Sequence, residues 1–285
     1  MQKINSMKKQ GLHFIILLLL IIPFLILLNH QIKLSNLNHQ VNNIEKQMNQ
    51  SKTVSLVGGF DYQSMFETMT FEPVEFVNHI HKCYLTFDDG PSHTTLELLE
   101  ILNQRNIKAT FFVVGKQLEN PTNAEILKQI VQQGHTIGIH TYSHDYVEIY
   151  SSVEAYLNDF YNTWQLVYEI TGIKTQIFRF PGGSINSFNT TIYEKIIDEM
   201  IRRGFVFYDW NVSAQDAVQG IEKEDMYYHA IMGEGYENII LLMHDFIDNQ
   251  EMLDILPQVI EYYQAKGYQF KAIDASIEPV TFNYP

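Results

Sequence analysis

From about His81 onward, short runs of β-branched and aromatic residues alternate with stretches of helical period, and this alternation restricts the fold more than any other feature. The runs predict strands at Tyr84–Phe87, Ala109–Val114, Thr136–Ile139, Gln176–Phe180, Phe205–Trp210, Ile239–Met243 and Tyr268–Lys271. Helices are expected between them, near 94–104, 122–133, 151–170, 189–202, 222–232 and 249–265. Gly134, Gly172, Gly204 and Gly267 each fall just past a helical run, where a C-terminal cap takes positive φ. Such alternation predicts an α/β fold with a parallel sheet, either a β/α barrel or a doubly wound sheet. Polar residues at the strand ends decide between them. Asp88 with Asp89 and His140 follow two of the strands, while Arg179, Asp209 with Trp210, and His244 end three others. A barrel gathers groups from many strand ends, whereas a doubly wound sheet concentrates them at one switch point. A seven-stranded barrel is therefore expected.

The chain divides into three parts. Residues 1–29 read as a cytoplasmic tip and transmembrane anchor, because Leu12 to Leu28 is apolar apart from His13, with Pro23 inside it. Lys3, Lys8 and Lys9 precede the run, which orients the remainder outward. A cleaved signal peptide is the competing reading, but Asn29-His30-Gln31-Ile32 offers no small-x-small cleavage site. Residues 30–80 are rich in Asn and Gln and read as an extracellular spacer stalk. Leu34, Leu37, Val41, Ile44 and Met48 have heptad-like spacing over too short a length for a coiled coil. Residues 81–285 form the expected catalytic domain.

Charge excludes one function class. Residues 53–285 carry 13 Lys and Arg against 32 Asp and Glu, so there is no basic footprint for nucleic acid. Cys83 is the only cysteine, which rules out an internal disulfide. It reads as a small buried residue.

The chemistry concentrates in Thr86-Phe87-Asp88-Asp89-Gly90 and His140-Thr141-Tyr142-Ser143-His144. One Asp and two His suffice to hold a catalytic divalent metal with positions left open. Two His at i, i+4 on one turn or short helix would face the same side. Asp89, His140 and His144 are thus the expected ligands, for Zn2+ first and Co2+ or a similar ion second. Such an ion lowers the pKa of water toward about 7 and polarises a carbonyl. With Asp89 on the metal, Asp88 is free to act as a base. Arg179 could orient Asp88 through a bidentate contact. His244, ending the apolar run Leu241-Leu242-Met243, suits protonation of a departing amine near neutral pH. His93, His135 and His229 have no partner pattern.

Thr86–Gly90, His140–His144, Arg179–Gly183, the stretch around Trp210–Asp216 and Leu241–Asp245 stand in the order of the five motifs of the NodB-homology polysaccharide deacetylases (carbohydrate esterase family 4). Over about residues 82–275 the chain resembles that family. The resemblance implies a distorted (β/α)7 barrel that removes N-acetyl groups from amino sugars, or occasionally O-acetyl groups from polysaccharides. It implies Asp88 as base, Asp89, His140 and His144 as metal ligands, His244 as acid and Arg179 as the group positioning the base. The Gly182 N–H would help hold the oxyanion, and Leu242 would line the acetate pocket. Two departures stand out. In the fourth motif Ser213 occupies the place of the first Asp, so Asp216 or Asp209 would tune His244, and Trp210 would supply the aromatic wall. In the third motif Gly182-Gly183 stands where Tyr is common, which would widen the sugar cleft.

The expected function is a membrane-anchored, metal-dependent deacetylase facing the cell wall, with peptidoglycan N-acetylglucosamine as first substrate. The alternatives are an O-acetyl esterase, a chitin-type deacetylase, or a silent carbohydrate-binding surface protein that keeps the barrel.

Overall fold

A strand buried on both faces belongs in a parallel sheet covered by helices, and β1 (Lys82–Asp88) is buried at every residue but its first. Its residues alternate between two apolar layers. Cys83, Leu85 and Phe87 join the core beneath the helices, while Tyr84 points into an inner cluster with Phe112, Ile177, Val206, Tyr208 and Ile240. This computed structural model describes residues 62–246 and 248–282. The other strands are β2 (Thr110–Val113), β3 (Thr136–Ile139), β4 (Ile177–Phe178), β5 (Val206–Phe207), β6 (Val212–Ser213), β7 (Asn238–His244) and β8 (Gln269–Phe270). All pairings are parallel, in the order β5-β4-β3-β2-β1-β7-β6, and β8 pairs with the first two residues of β1.

Each expected strand is present, and β6 is an addition, giving eight among the described residues. No pairing joins β5 to β6 among the described residues, so the parallel sheet is a half-barrel where the sequence predicts a distorted seven-stranded barrel. The reason is length. β4, β5 and β6 are two residues each and supply too few ladder hydrogen bonds to close the ring. Beside the open seam, a side chain extends the β6–β7 ladder. Asn211 accepts from Ile240 N (2.8 Å) and donates to Asn238 O (2.8 Å).

The helices α1 (Thr94–Gln104), α2 (Pro121–Gln132), α3 (Tyr146–Ile149), α4 (Val153–Thr171), α5 (Tyr193–Arg202), α6 (Lys223–Ala230) and α7 (Gln250–Ala265) connect the strands. The longest, α4, starts at Ser152, whose side chain accepts from Ala155 N, and stops at Gly172 with φ +75°. Gly134, Gly204 and Gly267 also have positive φ, as their positions predicted.

Residues 62–80 differ from expectation. They belong to the same compact unit as the strands, which starts at Tyr62. Met69 is fully buried. Phe71 N donates to Arg203 O (2.8 Å), and Arg203 donates to Tyr62 O (2.7 Å) and Phe66 O (3.2 Å). Buried Arg203 is in turn paired with Glu199 (2.8 Å). Scattered Met and Phe docking on a helix end leave no strand or helix period to read. The anchor over 1–29 and the rest of the spacer lie outside the described residues. Among the described residues, no helix is long and apolar enough to cross a membrane.

Candidate active site

Parallel strands deliver their C-terminal ends to one rim, and there the expected groups meet. Asp88 closes β1, and Asp89 follows with φ +75°, a left-handed conformation that costs a non-glycine residue energy and that clusters at functional sites. Arg179, fully buried just after β4, is the centre of the arrangement. Its Nη1 donates to Asp88 Oδ1 (2.9 Å) and Thr86 Oγ1 (2.7 Å), its Nε to Tyr208 O (2.8 Å) and its Nη2 to Asp209 O (3.1 Å). The guanidinium also lies over the Phe112 ring at 4.3 Å. The expected bidentate clamp is therefore a single contact. The remaining donors tie Arg179 to three other residues, and Asp88 Oδ2 stays clear of the guanidinium. Burial pushes the Asp88 carboxyl up to about 6, against the pull of Arg179.

His140 follows β3, its N–H bonded to Val113 O (2.9 Å). Its Nδ1 lies 2.9 Å from Arg179 O, and since a carbonyl only accepts, Nδ1 carries the proton and Nε2 is a bare donor atom. Burial, and next the neighbouring His144, hold His140 well below the ordinary range, hence neutral. The His140–His144 segment is an irregular loop, with positive φ at Thr141 and His144, rather than a helical turn. It is clamped from α4 by Asp159, whose carboxylate accepts from Tyr142 N and Ser143 N (3.1 Å to Oδ2). Both rings still reach one place, with centroids 5.1 Å apart.

Asp89 Oδ1 lies 3.5 Å from His140 Nε2 and 3.2 Å from His144 Nε2. One ligand atom from each of the three falls within 4.8 Å of the others. Asp89 Oδ1 is buried with no hydrogen-bond donor. Leaving a carboxylate oxygen so is costly unless a cation completes it, and one carboxylate with two imidazoles is a donor set that suits a divalent ion. The residues fit the metal that the sequence implied.

Across the rim, His244 ends β7. Its Nδ1 is 2.9 Å from Asp216 Oδ1, and Asp216 Oδ2 accepts from His244 N (2.7 Å) and Asn249 Nδ2 (2.9 Å). Burial works against the charged imidazolium. The Asp216 hydrogen bond and charge, with the negative charges of Asp88 and Asp89, outweigh it and raise His244 to about 9. Asp216 is thus the carboxylate that serves His244. Asp209 is consumed elsewhere, accepting from Ser184 N (2.8 Å), Ser184 Oγ (2.5 Å) and Phe282 N (2.8 Å).

The remaining expected residues line the rim. Trp210 follows β5, 5.7 Å from the Arg179 guanidinium and edge-to-face with Phe282 (4.9 Å). Leu242 is buried on β7, in register with Thr86 and Ser213. Gly182 does not widen the cleft as expected. A Cβ built there would meet Tyr146 Cε1 at 2.7 Å, and one at Gly183 would meet Phe282 Cε2 at 2.4 Å, so two rings from elsewhere occupy that space.

Several contributors went unread in the sequence. Thr86 shares Arg179, and its place two residues before Asp88 on an alternating strand was an available signal. Asp245 is buried behind the Asp88–Gly90 turn, its N–H on Asp88 O (3.0 Å) and its Oδ2 accepting from Thr95 Oγ1 (2.6 Å). Burial raises its carboxyl to about 7. His135, expected to be idle, is a core residue whose Nδ1 accepts from Ala109 N (3.0 Å). Burial lowers it to about 4. Cys83 is fully buried, and burial raises its thiol well above the ordinary value, so it is inert as expected.

Comparison with known proteins agrees with this geometry. The polysaccharide deacetylase family profile matches residues 77–197. A peptidoglycan-N-acetylglucosamine deacetylase of Bacillus cereus is 30% identical over 205 residues, covering 70% of this chain and 72% of the relative. Among solved structures, the catalytic domain of a peptidoglycan N-acetylglucosamine deacetylase from Eubacterium rectale superposes with a TM-score of 0.69 at 32% identity, over 74% of this chain and 96% of that one. A polysaccharide deacetylase from Bacillus cereus gives 0.64 at 27% identity, over 71% of this chain and 97% of that one.

Proposed function

The chain belongs to the polysaccharide deacetylase family of amide-bond hydrolases, and on that premise we propose that it removes N-acetyl groups from amino sugars of a cell-wall polysaccharide, peptidoglycan N-acetylglucosamine first among them. The observation that carries this reading is the meeting of two different machines on one rim. Asp89, His140 and His144 each turn one metal-ligating atom to a common point, flanked by a base held by Arg179 and an imidazole held by Asp216.

Asp89, His140 and His144 would hold the ion, which we assign as Zn2+ with Co2+ as an effective substitute. When bound, such an ion supplies Lewis acidity toward the acetyl carbonyl and makes a water nucleophilic near neutral pH. Asp88 Oδ2 takes the proton of that water, while Arg179 holds Oδ1 and keeps the carboxylate oriented. The Gly182 N–H donates to the oxygen that gains charge as the carbonyl carbon becomes tetrahedral. His244 then gives a proton to the leaving nitrogen as the C–N bond breaks, with Asp216 fixing its ring and stabilising the imidazolium. Leu242 and Trp210 line the acetyl and sugar sides of the cleft. The apolar run Leu12–Leu28 would anchor the enzyme in the membrane with this unit facing the wall.

The test is acetate release from purified peptidoglycan, chitooligosaccharides and acetylated xylan, by metal-stripped protein and by protein with zinc or cobalt restored. Metal-dependent release from peptidoglycan is expected to exceed the other two. Release from acetylated xylan alone would replace the amide reading with an ester one, and no release from any polymer would reject it.

A further inference from the structure

Gly182 and its surroundings carry more than a backbone donor. The place a side chain at 182 would fill is taken by Tyr146, whose Cε1 and hydroxyl would lie 2.7 and 3.2 Å from a Cβ there. Tyr146 is held from three sides. Asp145 caps α3 through Val147 N (3.0 Å) and Glu148 N (3.1 Å), fixing the backbone at Tyr146. One turn on, Tyr150 donates to Pro181 O (2.7 Å), tying this helix to the turn that carries Gly182. The Tyr146 ring meets His144 edge-on at 5.3 Å and packs against Phe188 at 5.2 Å.

Two features of this cluster have no use within the fold. Phe188 is 52% exposed, a large apolar ring turned to solvent beside a polar site. The Tyr146 hydroxyl, at the same place, makes no hydrogen bond to any described residue. An exposed ring next to a partly buried ring with an unused hydroxyl is the chemistry that recognises a sugar. The apolar C–H face of a pyranose lies on the rings, and a ring hydroxyl or amide meets the phenol.

We propose that Tyr146, backed by Phe188, forms the wall of this site that binds the N-acetylhexosamine residue to be deacetylated. It supplies from the loop after His144 the aromatic side chain that position 182 lacks. This rests on the deacetylase reading above and names the substrate contact within it. Phe282, which packs edge-to-face on Trp210, covers Gly183 as Tyr146 covers Gly182, so both glycines of the turn are walled by rings from elsewhere in the chain. Tyr146 and Phe188 act on substrate binding, so their loss appears in KM and in the affinity for uncleaved substrate.

The experiment separates this proposal from the reading beneath it. Full-length protein bearing Asp88→Asn is titrated with a chitopentaose by calorimetry, alone and with Tyr146→Phe, Tyr146→Ala or Phe188→Ala added. Binding by the Asp88→Asn protein is expected, weakened at least about tenfold by Tyr146→Ala, and about threefold by Tyr146→Phe or Phe188→Ala, the size of one modest hydrogen bond or ring contact. In the otherwise unmodified enzyme, KM is expected to rise by the same factor with a smaller change in kcat. Circular dichroism melting of each variant within a few degrees of the parent excludes unfolding as the cause. Undiminished binding by the Tyr146→Ala protein overturns the proposal and leaves the deacetylase reading intact. Failure of the Asp88→Asn protein itself to bind any amino-sugar oligomer overturns both.

Discussion

Asp216→Asn is the sharpest test of how the acid is tuned. The substitution keeps the shape of the side chain but removes the charge that faces His244 Nδ1 at 2.9 Å. His244 stands at about 9 because its carboxylate partners overcome its burial. The Asp216 contact is a charge-assisted hydrogen bond between a buried carboxylate and a mostly buried ring, worth roughly 1.5–3 kcal/mol. At 1.36 kcal/mol per unit, its loss lowers the His244 midpoint by roughly one to two units, to roughly 7–8. The sign follows from the role. As the proposed acid, His244 acts when protonated, so the alkaline limb of kcat/KM moves to lower pH. For a midpoint near 7.5, the variant loses roughly eightfold in protonated acid at pH 8.5 and almost nothing at pH 6.5. Two assays read this: the NMR titration of the His244 ring in metal-free protein, and the pH profile of acetate release. Asp209→Asn is the contrast, because that carboxylate is bonded to Ser184 and Phe282 and leaves the His244 midpoint in place. An alkaline limb that stays put in Asp216→Asn, or one that moves equally in Asp209→Asn, refutes the assignment.

Five further outcomes are expected. Asp88→Asn lowers kcat by roughly 10²–10⁴ while metal affinity by calorimetry is retained, and a loss under tenfold argues against a base at this position. The acid limb of the parent profile rises through about 6, since Asp88 acts deprotonated and burial holds it up. Arg179→Met strands a buried carboxylate and costs roughly 3–5 kcal/mol in urea unfolding, and a cost below about 1 kcal/mol rejects its keystone role. Gly90→Ala puts a methyl 2.2 Å from Asp245 Oδ1, so activity falls, and adding Asp245→Ala recovers part of it; simple addition of the two losses contradicts the contact. Chelation abolishes acetate release, and zinc at about 100 times its Kd raises stability by about 2.7 kcal/mol, read as a Tm shift that His144→Ala removes.

The layout of the site was legible because polar residues interrupt buried runs. A carboxylate or imidazole ending an apolar strand can only lie at the sheet's rim, and Asp88, His140, Arg179 and His244 were placed on that ground alone. Local reading failed where partners are distant. Ser213 left two carboxylates to serve His244, and only the fold shows Asp209 already held by Phe282, 73 residues away. Gly182-Gly183 read as open space, since nothing local tells that Tyr146 and Phe282 cover the two glycines. The Arg179 fork, expected on one carboxylate, is divided among Asp88, Thr86 and two carbonyls because neighbouring short strands leave those oxygens unpaired. Two-residue strands carry no period, which hid β6 and the open seam.

The unequal burial of the site residues has an evolutionary consequence. Asp89 and His144 are a quarter or more exposed and sit on loops, whereas Arg179 is sealed in and joins several strand ends. A lineage drifting through substitutions at Asp89 or His144 would shed its chemistry and keep the fold. One drifting at Arg179 would lose both together. Silent descendants of such an enzyme should therefore be recognisable by a retained arginine beneath a dismantled rim.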